Sequence, residues 1–148
     1  MNGLSIAAAL ILVYLLLLAN WAEDAQAQQT EVRINLTSEH IRAYGNFVRD
    51  YARAHPSASA QITNNAVLNL PAWYTPRSDI AGGVLNGQAF AYFVPVGDAE
   101  GFAIARAGGP GARAGLKVSG VLRLPGSGVS AGALPSYIPN GAVVYVFN

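Results

Sequence analysis

The sequence predicts an α+β protein in which the helical part precedes the sheet. Residues 28–55 contain a single glycine, whereas fourteen of the sixteen glycines lie beyond residue 80, among runs of Val, Leu, Tyr and Phe. Glycines favour turns, and β-branched and aromatic residues favour strands. We therefore expect one amphipathic helix packed on an antiparallel sheet of about four or five strands.

An apolar segment opens the chain, since no charged residue lies between Leu4 and Ala22. A helix of this length spans about 28 Å, close to the ~30 Å hydrocarbon core of a bilayer. It predicts a single N-terminal transmembrane helix, with the bulk of the chain exported across the membrane. The expected anchor residues are Leu4, Ile6, Leu10, Ile11, Leu12, Val13, Tyr14, Leu15, Leu16, Leu17, Leu18 and Trp21.

The same segment has features of a cleaved signal peptide, and this alternative stays open. The core from Ile6 to Ala19 has a suitable length, and Ala25-Gln26-Ala27 is an acceptable cleavage site, but Met1-Asn2-Gly3 carries no basic side chain. In either case we assign residues 1–27 to the anchor or leader with its flank, and residues 28–148 to one domain.

The charge balance and the lack of cysteine argue against several classes of function. Residues 28–148 carry nine basic and six acidic side chains, a balance of +3 with dispersed positions, which does not favour nucleic-acid binding. The chain has no cysteine, so disulfides and thiol chemistry are excluded.

The amphipathic helix is predicted from about Thr37 to Ala54 and ends before Pro56. One side of the helical wheel is apolar and comprises Ile41, Tyr44, Phe47, Val48, Tyr51 and Ala52. Residues 30–36 fit either an extension of this helix or a strand.

Turn signals place the strands in the second half of the chain. Asn86-Gly87 predicts a hairpin between residues 80–85 and 88–94, and Ser119-Gly120 predicts another between 114–118 and 121–124. Residues 142–147 are apolar throughout, which indicates a buried central strand. Residues 99–107 fit a short helix capped by Asp98 or an alternating strand.

Motifs that resemble catalytic sites lack their usual context. Gly128-Val129-Ser130-Ala131-Gly132 matches a nucleophile elbow, but no strand precedes it and no histidine follows it. A hydrolase that uses Ser130, or Ser119 with Lys117, lacks an orienting base. His40 and His55 are too isolated to indicate a zinc site. We expect no enzymatic activity, no cofactor, no metal site and no small-molecule substrate.

Two groups of side chains are candidates for a partner surface. Arg42, Arg49 and Arg53 form a basic stripe on the helix, which fits anionic lipid headgroups, an acidic partner or simply a solvated face. Trp73 and Tyr74 belong to an extended loop between Pro71 and Pro76. These two aromatic rings are expected either to cover the sheet as a lid or to form an exposed contact.

The order of these features resembles the small PilM proteins of thin, type IVb conjugative pili. The resemblance rests on the apolar N-terminus and on four short motifs. These are a helix ending in Val48-Arg49-Asp50-Tyr51-Ala52-Arg53-Ala54-His55-Pro56, then Leu70-Pro71-Ala72-Trp73, then Ala89-Phe90-Ala91-Tyr92-Phe93-Val94, and finally Leu134-Pro135-Ser136-Tyr137-Ile138-Pro139-Asn140-Gly141-Ala142-Val143-Val144.

This resemblance implies a non-enzymatic, single-pass accessory protein of the bacterial inner membrane, with a periplasmic C-terminal domain, that is needed for pilus biogenesis and conjugation. Its expected partners are other pilus assembly proteins or pilins, and its expected contact with the membrane is the N-terminal helix. Two alternatives remain: a periplasmic binding module released by signal-peptide cleavage, and a subunit similar to a minor pilin. Prepilin processing is not favoured, because Ala8 stands where a mature pilin usually has glutamate.

Overall fold

A computed structural model describes residues 3–109, 113–128 and 130–148, with side chains described from Ile11 onward. Two α-helices and seven strands are defined in this part of the chain. They are, in order, α1 (Gly3–Ala54), β1 (Ser59–Ile62), a 3₁₀ turn (Asn65–Leu68), β2 (Ile80–Leu85), β3 (Gln88–Phe93), α2 (Asp98–Ala107), β4 (Arg113–Val118), β5 (Val121–Arg123), β6 (Ser130–Ala133) and β7 (Val143–Phe147).

The strands form one antiparallel sheet in the order β1-β2-β3-β7-β4-β5-β6. The predicted α+β class is confirmed, but the predicted number of four or five strands is wrong. The strands that the sequence did not reveal are the edges β1 and β6. Apart from Ile62, both consist of small and polar residues that have little intrinsic strand preference, so pairing with a neighbour determines their conformation.

Both predicted hairpins are confirmed. Asn86 and Gly87 have φ values of 50° and 81°, and Ser119 and Gly120 have values of 51° and 83°. Positive φ at both central residues defines a type I′ turn, whose twist matches that of the flanking strands. Residues 99–107 belong to helix α2, whose N-cap is Gly97 rather than the expected Asp98.

Two compact units are distinguished, one ending at Arg33 and the other comprising Ile34–Asn148. In the first unit, helix α1 exposes the side chains of Ile11–Leu18 and Trp21 by 43–69%. The predicted anchor residues Leu4, Ile6 and Leu10 have side chains outside the described residues.

The predicted membrane span is not found. Within the described residues, no helix has a segment that combines the length and the apolar character required to cross a bilayer. This finding contradicts the predicted transmembrane helix and the predicted single-pass inner-membrane localisation, and we withdraw both.

In the second unit, α1 packs on one face of the sheet. Ile41, Val48 and Ala52 are fully buried there, and Tyr44 is 2% exposed, as the helical wheel predicts. Phe47 and Tyr51 are only half-buried at the border of this core. Residues 30–36 are helical, so they extend α1 rather than form a strand.

Strand β7 is buried along its whole length between β3 and β4. Its Tyr145 hydroxyl donates a hydrogen bond to the carbonyl of Ile104 in α2, at 2.7 Å. Ser38 of α1 lies 3.0 Å from the same hydroxyl and donates to it, because the hydroxyl proton of Tyr145 is already engaged. One buried side chain therefore joins both helices to the central strand.

Residues 134–142 cover the opposite face of the sheet. Tyr137, Ile138 and Ala142 pack there against residues of β3 and β7. Lys117 of β4 is only 5% exposed, and its Nζ donates to the carbonyl oxygens of Pro135 and Ile138 at 2.8 and 2.6 Å. The buried ammonium group therefore fixes the turn that carries Tyr137.

Substitution of Gly45 tests how closely α1 contacts the sheet. A Cβ atom at this position would lie 2.1 Å from the ring of Phe147, which is itself buried. Alanine improves helix propensity by about 1 kcal/mol, but overpacking costs about 1–3 kcal/mol. We expect Gly45→Ala to lower the free energy of unfolding by about 1 kcal/mol or more in urea titrations. The exposed neighbour serves as control, since Asn46→Ala should change stability by less than about 0.5 kcal/mol. Equal stability of the two variants would contradict the close contact.

Lys117→Met tests the bonds that hold residues 134–142. The substitution keeps the length of the side chain but leaves two buried carbonyl groups without their charged donor, so we expect a loss of about 2–3 kcal/mol in urea titrations. Arg123→Met, on the exposed side of neighbouring β5, should cost less than about 0.5 kcal/mol. If the Lys117 variant unfolds at the same urea concentration as the Arg123 variant, the bonds of Lys117 to residues 134–142 do not stabilise the fold.

Candidate functional site

A charge-free segment lies along one side of helix α1. No Asp, Glu, Lys or Arg occurs between Pro56 and Pro76, and this segment contains β1, the 3₁₀ turn and the loop that carries Trp73. We call residues 56–76 the uncharged flank. Depletion of charge together with exposed aromatic side chains is typical of the central part of a protein interface.

The flank is tied to the helix by specific contacts. Tyr44 donates a hydrogen bond to Oδ1 of Asn65 at 2.7 Å, and Tyr74 packs on Phe47 with 4.9 Å between ring centroids. Burial raises the pKa of the Tyr74 hydroxyl. These contacts give the loop a defined position although it contains no helix or strand.

Arg77 holds the C-terminal end of the flank. Its guanidinium group donates to both carboxylate oxygens of Asp79, at 2.9 and 2.5 Å, and to the hydroxyl of Thr37 in α1 at 3.2 Å. The same group lies 5.8 Å from the ring centroid of Phe93. Hydrogen bonding to Arg77 lowers the pKa of Asp79. A strand, a helix and the loop therefore meet at one side chain.

Trp73 is the most exposed aromatic side chain of the flank, with 80% of its surface accessible. Its ring stands perpendicular to that of Tyr74, at 5.9 Å between centroids. Trp73 and Tyr74 form one wall of an open groove of about 430 Å³, and Glu39, His40 and Ala43 of α1 form the other. The lid interpretation is therefore wrong for Trp73, whereas Tyr74 does cover part of the core.

A second groove, of about 330 Å³, continues along the same side of α1. It lies between Tyr51 and His55 of the helix and Val67 of the 3₁₀ turn, and the Tyr51 and His55 rings stack at 4.3 Å. The Nδ1 atoms of both histidines lie within hydrogen-bond distance of the carbonyl four residues earlier, so Nδ1–H donates there. No group of three potential metal ligands is found among the described residues.

The arginine stripe does not take part in these grooves. Arg42, Arg49 and Arg53 lie roughly 160° around the helix from His40, Phe47 and Tyr51, with the buried face between them. Arg49 Nε is 3.6 Å from Asp50 Oδ1, and Arg42 and Arg53 are exposed. The structure therefore brings Trp73 and Tyr74 together but separates them from the three predicted arginines.

Sequence reasoning missed the side chains that position the flank, namely Tyr44, Asn65, Arg77 and Asp79. A signal was present for Arg77 and Asp79, because their spacing of two residues permits a local ion pair at the end of a loop. The partner of Tyr44 could not be found in this way, since twenty-one residues separate it from Asn65.

The fold and the flank together define a class of protein: an α+β module with one long helix, an antiparallel sheet and an exposed aromatic side chain beside an open groove. The family model PilM matches residues 7–146, so the chain belongs to the PilM family, which is associated with pilus systems. This confirms the family to which the sequence motifs pointed.

Two solved structures are similar to the chain. A crystal structure described as a PilM protein from Escherichia coli B7A has 22% identity and a TM-score of 0.54, and it covers 78% of this chain and 91% of its own. Another, from Pseudomonas aeruginosa 2192, has 26% identity and a TM-score of 0.43, with 78% and 96% covered. The first supports the fold alone. No curated protein matches the chain.

The raised pKa of Tyr44, which bonds to the flank, makes the free energy of unfolding depend on pH. Burial, and to a lesser extent the nearby Tyr74 and Tyr92, raise its pKa from 10.0 to about 12. Between these values the unfolded chain releases the Tyr44 proton while the folded chain retains it, so stability falls as pH rises. We expect Tyr44→Phe to lose about 1 kcal/mol at pH 7 but to show a shallower decline above pH 10, measured by urea unfolding.

Asn65→Ala is the matched control for this experiment. It removes the hydrogen-bond acceptor but keeps the phenol, so it should reproduce the loss at pH 7 and retain the decline above pH 10. Identical alkaline curves for Tyr44→Phe and the wild type would show that Tyr44 does not contribute to the pH dependence.

Proposed function

We propose that this PilM-family chain is a non-enzymatic accessory protein of type IVb pilus biogenesis and conjugative transfer. It acts through contacts with other pilus assembly proteins or pilins, and the uncharged flank makes the principal contact. Membership in the family supports the link to pili. The observation that carries the proposed mode of action is the 80% exposure of Trp73, which belongs to a segment without charge and lines an open groove opposite Glu39 and His40 of α1.

The flank can lose its bound water to a partner at a low cost in free energy. Tryptophan and tyrosine are enriched among the residues that dominate binding energy, because they bury a large area with few rotatable bonds. Tyr74 packs on Phe47 and holds the loop, so Trp73 enters an interface with little further loss of conformational freedom. The absence of charge in residues 56–76 means that a partner can cover the flank without desolvating an ion.

The arginine stripe has a secondary role in this proposal. Arg42 and Arg53 are exposed on another side of α1, where they can steer an acidic partner without forming part of the groove. Their removal should affect the rate of association and its salt dependence more than the final affinity.

Complementation of a deletion strain tests the function. Pili are counted by electron microscopy and conjugative transfer is measured in cells that lack the gene and express plasmid-borne variants at equal levels. We expect the deletion to abolish piliation and Trp73→Ala to restore less than about one tenth of the wild-type value, since loss of a central aromatic contact costs 2 kcal/mol or more. Because Trp73 is exposed, its removal should leave the folded chain as stable as the wild type.

Two control variants separate the parts of the proposal. Val96→Ala truncates another apolar side chain, 95% exposed outside the flank, and should restore full piliation. Ser130→Ala removes the hydroxyl of the motif that resembles a nucleophile elbow and should also restore it. Normal piliation in the deletion strain would refute the role in pili. If the Ser130→Ala variant did not restore piliation, the non-enzymatic role would be refuted. Equal piliation with the Trp73 and Val96 variants would exclude the flank as the principal contact.

A further inference from the structure

Strand β1 has one edge that makes no ladder within the described part of the chain, where it pairs with β2 only. The turn at Asn86-Gly87 has two residues, so Leu85 and Gln88 form a hydrogen-bonded pair. Counted back from Leu85, every second residue of β2 therefore bonds its backbone to β3, and the residues between them bond to β1. Ala60 and Ile62 therefore direct their backbone groups to β2, and the N–H of Asn86 bonds to the carbonyl of Ala58 in the same pattern. The backbone groups of Ser59, Gln61 and Thr63 consequently point away from the sheet.

This edge strand is short, with four residues, but it lacks three other features by which proteins block strand pairing. Such features are charged side chains, proline and bulges on the edge strand. Residues 57–64 contain no charge and no proline, and the register of β1 with β2 is continuous. The opposite edge differs, because β6 has Gly132 at a φ of 118° and an irregular register with β5.

The β1 edge is complementary to itself. When two copies are placed antiparallel with Gln61 opposite Gln61, Ser59 of each copy stands opposite Thr63 of the other. All of these residues direct their N–H and C=O groups outward, so the pairing closes about six hydrogen bonds. Gln61 stands at the two-fold axis beside its own counterpart, where a charged side chain would meet a like charge, and β1 carries no charge.

We propose that β1 is a self-association site at which two copies of the chain join their sheets, antiparallel and centred on Gln61. The groove of about 160 Å³ beside the strand, lined by Tyr51, Val67 and Val84 among others, gives side chains of the second copy an apolar surface on the helix side of the sheet. This pairing does not depend on the proposed role in pilus biogenesis, because it follows from the exposed edge alone.

Disulfide trapping tests the geometry, since the natural chain contains no cysteine. In the proposed register the two Gln61 Cα atoms lie about 5.5 Å apart, within the range that a disulfide spans. Purified full-length Gln61→Cys should form a covalent dimer as its main product under mild oxidation at micromolar concentration. Ala133→Cys, on the exposed opposite edge, should remain mostly monomeric. Equal yields of dimer from the two variants would overturn the proposal.

A charge substitution provides a second test that needs no cross-link. Gln61→Lys places two like charges at the two-fold axis, so its dimerisation constant in sedimentation equilibrium should be at least about tenfold weaker than that of the wild type. Asn46→Lys adds the same charge on the exposed face of α1 and should leave the constant unchanged. Circular dichroism and thermal melting confirm that each variant is folded, because Gln61 also donates a hydrogen bond to Tyr92 at 2.7 Å.

Outcomes in cells distinguish a second copy from another partner. If Gln61→Cys is trapped with a different protein and gives no homodimer, β1 pairs with a strand of that protein and the proposed self-association is wrong. Wild-type and Gln61→Lys chains that sediment identically would also refute it. Neither result bears on the piliation measured with Trp73→Ala. Conversely, full piliation with Trp73→Ala would refute the proposed contact of the flank but not the pairing of β1.

Discussion

The burial of strand β7 is the constraint on which the rest of the structure depends. All five residues of the strand are buried, and the backbone pairs with β3 on one side and β4 on the other. The hydroxyl of Tyr145 would be costly to bury without a partner, and its bonds to Ser38 and Ile104 remove this cost. The same bonds determine where both helices lie, and burial raises the pKa of Tyr145.

The two faces of the sheet are covered in different ways, and this asymmetry explains why the border of the helical face remains accessible. Regular helices cover one face, and the irregular residues 134–142, held by Lys117, cover the other. On the helical side, α1 leaves room along its border for the uncharged flank. Tyr44 attaches the flank near its middle and Arg77 attaches its C-terminal end, so that Trp73 is displayed from a loop with a fixed position.

Local signals predicted those elements whose conformation is set by residues close in sequence. The Asn86-Gly87 and Ser119-Gly120 turns and the apolar side of α1 belong to this group, because positive φ and a 3.6-residue period are local properties. Strands β1 and β6 were missed, since only a neighbouring strand makes their sequences extended. In the candidate site, Trp73 and Tyr74 were recognised by residue type, but their separation from the arginine stripe and the role of Asn65 depended on packing.

The sequence by itself determined the α+β class, the order of helix before sheet, the family to which the motifs point and the lack of charge between Pro56 and Pro76. These properties depend on composition and on short periodic patterns. Tertiary structure alone decided the seven-stranded order, the buried contacts of Lys117 and Tyr145, the exposure of Trp73 and the open edge of β1. The physical reason is that each of these depends on residues far apart in the chain, whose proximity is established only when the sheet has formed.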